Sequence, residues 1–288
     1  MSPALKIFLA GILWGTIGTF VKTLSSLGAD GALIAFLRMF WAFVIVLAIS
    51  IIRHGRNVII RDKKTLIFCA ILGLLCNGLF NVFYTSSIKI NGMGIACVLM
   101  YTAPVFTAIG SRIIFREKFS ALKIFALSVN ILGCVLTVTG GNLSVGNINL
   151  MGLLAGIGSG FCYGMAAVFG RLAGEKTDSM TVSVYSFSFA VIFLTFSMKP
   201  DVTLALSRPE ILWIGFLYGL IPTSISYVIY YDGLKVIPDT GKVPVIASIE
   251  PVTAVLLGIM IYNEAMSAGN FIGVAVVIFS IIIMAKAR

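Results

Sequence analysis

The sequence predicts an all-α membrane protein in which ten transmembrane helices form two inverted five-helix repeats. The first observation is composition. Of 288 residues, 59% are hydrophobic and 11% charged, with a mean hydropathy of +1.06; soluble domains run near 45–50% apolar and about 25% charged. The second is length: ten apolar runs of about 17–25 residues can be placed, each enough to cross about 30 Å of hydrocarbon at 1.5 Å per residue. The third is self-similarity. Shifted by 147 residues, Gly94 falls on Gly241, Pro104 on Pro251, Glu117 on Glu264 and Ser120 on Ser267.

The runs lie at 5–22, 31–52, 66–87, 93–114, 121–139, 150–171, 180–198, 209–231, 243–262 and 268–285. Turn or charge signals separate them, among them Ser25 to Gly31, the basic stretch Arg53 to Lys64, Asn91–Gly92, Gly140 to Asn149 and Lys199 to Pro209. No break is long enough for a soluble domain. The runs are too long for strands and lack period-2 alternation, so they are helices. Met1 to Lys6 leads directly into a full-length run without a small-residue cleavage pattern, and reads as a first helix rather than a removable signal. With the N-terminus inside, 16 of the 21 Lys and Arg residues fall on the inner side, four outside, and Arg38 within a run. That asymmetry predicts cytoplasmic termini and a plasma (inner) membrane location.

The similarity reaches the start of each half at an offset of 149, aligning Gly11 with Gly160, Trp14 with Tyr163, Gly15 with Gly164 and Lys22 with Arg171. At 147, Tyr84 aligns with Tyr231. The expected repeats are 1–140 and 149–288. Five helices is an odd number, so the second repeat enters the membrane from the opposite side, the architecture of secondary transporters that alternate access around a midplane site.

Several classes are excluded. The charge of +10 is spread over run ends rather than a base-reading stripe, so no nucleic acid is expected. Cys69, Cys76, Cys97, Cys134 and Cys162 all lie in apolar runs without ligand spacing and read as small buried side chains, giving no metal site and no disulfide. There is no phosphate-binding loop and no Ser/His/Asp grouping; the sole histidine, His54, lies in the basic loop. The chain is therefore expected to be neither an enzyme nor dependent on a cofactor.

Leu13–Trp14–Gly15, Arg38, Tyr84 with Ser86–Ser87, Pro104 with Glu117, Tyr231, Gly241 and Glu250–Pro251 through Glu264 together resemble the drug/metabolite transporter superfamily, and within it the EamA-like ten-helix transporters. The resemblance covers essentially the whole chain. It implies a 5+5 inverted-repeat bundle that moves small metabolites, amino acids or related compounds, commonly outward. One departure is plain: the seventh run has no arginine in the place of Arg38.

Glu250 is the most informative candidate, an acid about 10 Å deep in the ninth run beside Pro251, which has no amide to donate to the carbonyl of Ala247. A carboxylate at such depth is costly and faces a cavity or a partner. Arg38 cannot shed its proton to ease burial, so a direct or substrate-bridged pair with Glu250 is expected, or else a static tie to backbone carbonyls. Asn77, Asn81 and Tyr84 fall at i, i+4, i+7 on one face of the third run, as do Ser224, Tyr227 and Tyr231 on the eighth, with Thr223, Ser226 and Tyr230 close by. Trp14, Tyr101 and Tyr163 add aromatic surface suited to an amphipathic ligand or a zwitterion's ammonium. Tyr231, near a helix end, suits an interfacial belt as well as a site. Pro104 and Pro251 are the candidate hinges. Glu117 and Glu264 read as surface residues beside the helix caps Ser120 and Ser267, and the Gly-rich stretches 11–18 and 152–164 as close helix packing.

The expected function is secondary active transport of small organic metabolites around a cavity lined by runs 1–4 and 6–9, with runs 5 and 10 outside as packing or dimer contacts. The expected partners are the solute, the lipid bilayer and protons, in a monomer or homodimer. A facilitative permease or channel-like pore is the alternative, ahead of a membrane signalling or structural protein, which would not need Arg38 and Glu250 buried together.

Overall fold

Every helix start needs acceptors for amides that have no intrahelical partner, and at several of them a side chain supplies one. The computed structural model describes residues 1–54, 59–118, 120–142, 149–263 and 265–286. In it Ser2 accepts from the Leu5 amide, Asp62 from Thr65, Ser120 from Lys123, Asn149 from Met151, and Asp178 from both Met180 and Thr181. The reading of Ser120 and Ser267 as caps holds, since the Asn270 amide donates to Ser267 Oγ at 3.3 Å. Glu264, residues 55–58 of the basic loop and Arg288 lie outside the described residues.

Among the described residues ten helices are long and apolar enough to cross a membrane: α1 (Pro3–Ser26), α2 (Gly31–Arg53), α3 (Lys63–Asn91), α4 (Met93–Phe115) and α5 (Ala121–Thr139), then α6 (Leu150–Gly174), α7 (Ser179–Met198), α8 (Pro209–Leu234), α9 (Thr240–Tyr262) and α10 (Ala268–Lys286). Each contains or overlaps an expected run. A short helix, Val202–Ser207, precedes α8. The bundle has a terminal end, which carries the N-terminus and the α4–α5, α6–α7 and α8–α9 turns, and a far end opposite.

Backbone irregularities recur at the 147-residue offset. Helix α3 contains a π segment at Leu72–Leu79 and α8 one at Leu220–Ile225. Helix α4 breaks at Tyr101 (φ −72°, ψ 7°) and α9 at Ser248 (φ −69°, ψ 5°). Both helices end in a left-handed residue, Arg116 (φ 57°) and Asn263 (φ 53°). Helix α1 is also interrupted, at Thr16, but its counterpart α6 runs unbroken.

The breaks lie beside the expected hinge prolines. Pro104 and Pro251 each sit in the first turn of the restarted helix, where a missing amide is tolerated. The opening lies three residues earlier in both.

Packing links the two halves throughout. Helix α1 lies on α8 and α9, and α6 on α3 and α4; α2 meets α7 and α8, α7 meets α2 and α3, and α5 pairs with α10. Glycines permit the closest of these contacts. A Cβ on Gly11 would collide with the Ala247 carbonyl and one on Gly15 with the Glu250 carbonyl; likewise Gly160 meets the Leu99 carbonyl and Gly164 the Ala103 carbonyl. Thus α1 is seated directly on the break of α9, and α6 on the break of α4.

Candidate functional site

The break of α9 places Glu250 in the first turn of the restarted helix, about 15 Å from Thr240 at 1.5 Å per residue and so near mid-span. The Tyr163 hydroxyl of α6 donates to Glu250 Oε2 at 2.9 Å. Arg38, 7% exposed, faces the same region from α2. Its Nε donates to Thr223 Oγ1 at 3.2 Å, and that hydroxyl in turn donates to the Tyr218 carbonyl at 3.0 Å across the π segment of α8. The guanidinium lies over the rings of Tyr218 and Tyr227, at 5.6 and 6.0 Å from their centroids, an arrangement that partly replaces lost hydration.

Arg38 and Glu250 do not form the expected direct pair, since no ion pair within 4 Å joins them. Each has a neutral hydroxyl partner instead, Thr223 for the cation and Tyr163 for the acid. Trp14 joins the two regions. Its ring meets Tyr230 at 4.8 Å, Tyr227 at 5.3 Å and Tyr163 at 6.2 Å.

The remaining candidates divide. Tyr101 is buried beside Glu250 and Tyr163. Tyr84 is stacked on Phe80 at 5.6 Å, and its hydroxyl shares a hydrogen bond with Cys97 Sγ at 2.9 Å. Asn77 lies in the π segment of α3, ahead of the regular helix that carries Asn81 and Tyr84. Asn77 is buried and its Nδ2 has no partner, as is Trp14 Nε1, whereas Asn81 Nδ2 is used on the Asn77 carbonyl. Ser224 likewise donates to its own helix, at the Gly219 carbonyl (2.8 Å). Tyr231 is 1% exposed and packs on Tyr227 and Tyr230, so it belongs to the core and not to an interfacial belt.

The expected cavity is nearly closed. Beside Glu250 there is about 10 Å³, bounded by Tyr101, Pro104, Asn130, Tyr163 and Ser248, which is space for about one water. A second cavity of about 350 Å³ opens at the terminal end among Met1, Lys6, Arg53, Asp178, Val228 and Asp232. Its walls are α1, α2, α7 and α8, three of which carry Trp14, Arg38 and Tyr227 deeper in the bundle.

Asn130 corrects the expectation that α5 stays outside. It is fully buried and donates from Nδ2 to Ser248 Oγ (2.6 Å) on α9 and to Ser280 Oγ (2.9 Å) on α10. An amide in the middle of an apolar helix was the signal. Helix α10 is peripheral: 22% of its apolar window is buried, against 56% for α6.

Glu117 does more than neighbour a cap. Its carboxylate accepts from Arg171 Nη1 (2.7 Å), the Thr240 amide (2.8 Å) and the Gly241 amide (3.1 Å), which ties α4, α6 and α9 at the terminal end. Burial pushes its pKa up, but the hydrogen bonds from Thr240 and Gly241 outweigh this and hold it below the ordinary carboxylate value. Arg171 also lies over Phe115, at 4.2 Å. Lys22 over Tyr262, at 3.7 Å, repeats that contact at the far end.

Comparison with known proteins follows the same outline. The family model described as the EamA-like transporter family matches residues 1–139 and 150–286. An uncharacterized transporter of Archaeoglobus fulgidus is 26% identical over 278 residues, 96% of this chain and 94% of the relative. The uncharacterized inner membrane transporter YicL of Salmonella typhimurium is 22% identical, with 97% and 94% covered. A solved crystal structure superposes with a TM-score of 0.81 at 19% identity, covering 99% of this chain and 96% of the other. With a family model matched across both halves and the ten-helix fold in common, the chain belongs to the EamA-like transporter family.

Proposed function

We propose that the protein is a secondary active transporter that exports small organic metabolites, amino acids or related zwitterionic compounds, by alternating access. The observation that carries this reading is the separation of Arg38 and Glu250. Two opposite charges stand near the centre of the bundle, each bonded to a hydroxyl rather than to the other, in a setting where charge is tolerated for function. A zwitterion would exchange those neutral partners for charge-assisted bonds, its carboxylate towards Arg38 and its ammonium towards Glu250. Trp14, Tyr101, Tyr163 and Tyr227 would enclose its apolar part, and Asn77, with an unused donor, would add polar contact. Glu250 is the only acid near the middle of a span, which makes it the group that exchanges a proton against the solute.

The near-absence of free volume at Glu250 fits an occluded state better than a channel. Lys and Arg asymmetry supports a plasma-membrane protein with both termini cytoplasmic, so that the terminal end faces the cytoplasm. The decisive experiment is flux into liposomes holding the purified protein, screened across amino acids and amines with and without a pH gradient. Saturable, gradient-driven accumulation that disappears in Glu250→Gln is expected. Saturable flux indifferent to the gradient would indicate a facilitative permease, and non-saturating flux a pore.

A further inference from the structure

The two helix breaks have the same backbone but not the same support. In α9 the break residue Ser248 accepts from Asn130 Nδ2, while its own hydroxyl donates to the Val245 carbonyl at 2.6 Å. The second amide proton of Asn130 goes to Ser280, whose hydroxyl donates to the Val277 carbonyl at 2.7 Å. Asn130 Oδ1 faces the Cys134 thiol at 3.9 Å. Every hydrogen-bonding atom of this fully buried amide is thereby engaged. In the other half the position 147 residues on is Val277, which has no donor, and the break residue is Tyr101. Only the break that bears the acid is pinned.

We propose that Asn130 is a positioning residue for Glu250. It fixes Ser248 against α10, and because Glu250 follows two residues later in the first turn after the break, the same bonds set where its carboxyl stands in the water-sized cavity that Asn130, Ser248 and Glu250 all border. That cavity has the volume of about one water. The ionisable groups around Glu250 are Arg38 on α2, Tyr84 on α3, Cys97 and Tyr101 on α4, and Cys134 on α5, with Tyr163 on α6 and Tyr218 and Tyr227 on α8. Among these types only arginine is charged at neutral pH by its ordinary pKa. The titration of Glu250 therefore depends on Arg38, on Tyr163 and on the geometry that Asn130 maintains.

The inference rests on the reading of Glu250 as the proton-exchanging carboxyl, and its test separates the two. The infrared carboxyl band of Glu250, identified by its loss in Glu250→Gln, is followed against pH in purified protein, alongside the pH profile of liposome flux. Asn130→Ala is expected to move the band and shift its titration midpoint by about one unit, and to move the flux midpoint equally. Ser280→Ala, which spares the Asn130–Ser248 bond, should shift both less. Should the band and midpoint stay in place while only the melting temperature falls, Asn130 is a packing residue and the proposal is overturned. If Asn130→Ala does not fold, Ser248→Ala, which removes the acceptor of the Asn130 bond, carries the comparison, and an unmoved band overturns the proposal. A wild-type protein whose band titrates and responds to Asn130→Ala, but whose flux ignores pH, would uphold the positioning role and sink the proton-coupled function.

Discussion

Helices α4 and α9 are near copies in backbone and unlike in chemistry. Both break at equivalent residues, Tyr101 and Ser248, both resume with a proline in the first turn, and both receive a glycine face, from α6 and α1 respectively. After the break α4 presents Ala103, whereas α9 presents Glu250. The difference separates two demands on one architecture. Alternation between two sides needs a frame that looks alike from both, and backbone geometry with small residues can be repeated at little cost. A mid-membrane charge costs about 2.5–3.5 kcal/mol on insertion scales, so the acid is carried by one of the two breaks only, where a hydroxyl partner and an anchoring amide are at hand.

Moving the charge should break the comparison most severely. The double variant Glu250→Ala/Ala103→Glu puts the acid after the other break, where no amide corresponds to Asn130. Flux in liposomes is expected to fall more than about tenfold, in line with the burial cost of an unsupported carboxyl. Retention of wild-type flux would show the two breaks to be chemically interchangeable.

The glycine contacts come next. Gly15→Ala and Gly164→Ala each force a Cβ against a carbonyl oxygen and should each destabilise by about 1–3 kcal/mol, read as similar falls in melting temperature. Transport should suffer more in Gly15→Ala, because the carbonyl it displaces belongs to Glu250. Equal losses of flux would say that the frame, and not the acid, sets the sensitivity.

The ties at the terminal end give a smaller, pH-dependent effect. The carboxyl of Glu117 is held below its ordinary value, so its bonds contribute fully above the pKa of the unfolded chain and are lost as pH falls through the folded one. Thermal stability should therefore decline only below the ordinary carboxylate range, and Glu117→Gln should flatten that decline. An unchanged acid limb in Glu117→Gln would assign it to other groups. The smallest effects belong to Pro104→Ala and Pro251→Ala. Because each proline sits in the first turn of a restarted helix, each substitution should cost within about 1 kcal/mol, and a much larger loss would show that the break depends on the proline.

How far this was readable in the chain depended on what kind of fact each residue carries. Ten apolar runs, the shift of 147 and the packing glycines are properties of composition and order, and they emerge in the structure as expected. The positions of the breaks were not readable. The prolines announce irregularity, but the opening falls where a glycine on another helix admits a carbonyl, a fact shared between Gly11 and Ala247 and visible in neither alone. The same limit applies at the site. Arg38 and Glu250 were recognisable as buried charges, yet Thr223 and Tyr163 hold them apart, and sequence spacing contains no distances between helices. Asn130 sits in a run apolar enough to suggest the periphery, and its partners Ser248 and Ser280 lie on other helices.

The paired π segments carry one more consequence, for how these helices tolerate change in length. A π turn holds one residue more than the α turn it replaces. Deleting a residue within Leu72–Leu79 or Leu220–Ile225 would let the segment relax to regular α-helix with the span continuous and what lies beyond facing much as before, because the smaller rotation per residue of the π segment offsets its extra residue. In α3 Tyr84 would stay beside Cys97, and in α8 Tyr227 would stay under Arg38. The same deletion in a regular stretch of either helix would turn everything beyond it by about 100°. Each π segment is thus a place where the helix can lose a residue and keep its packing partners on both sides, and both copies hold it at the same point of the 147-residue register.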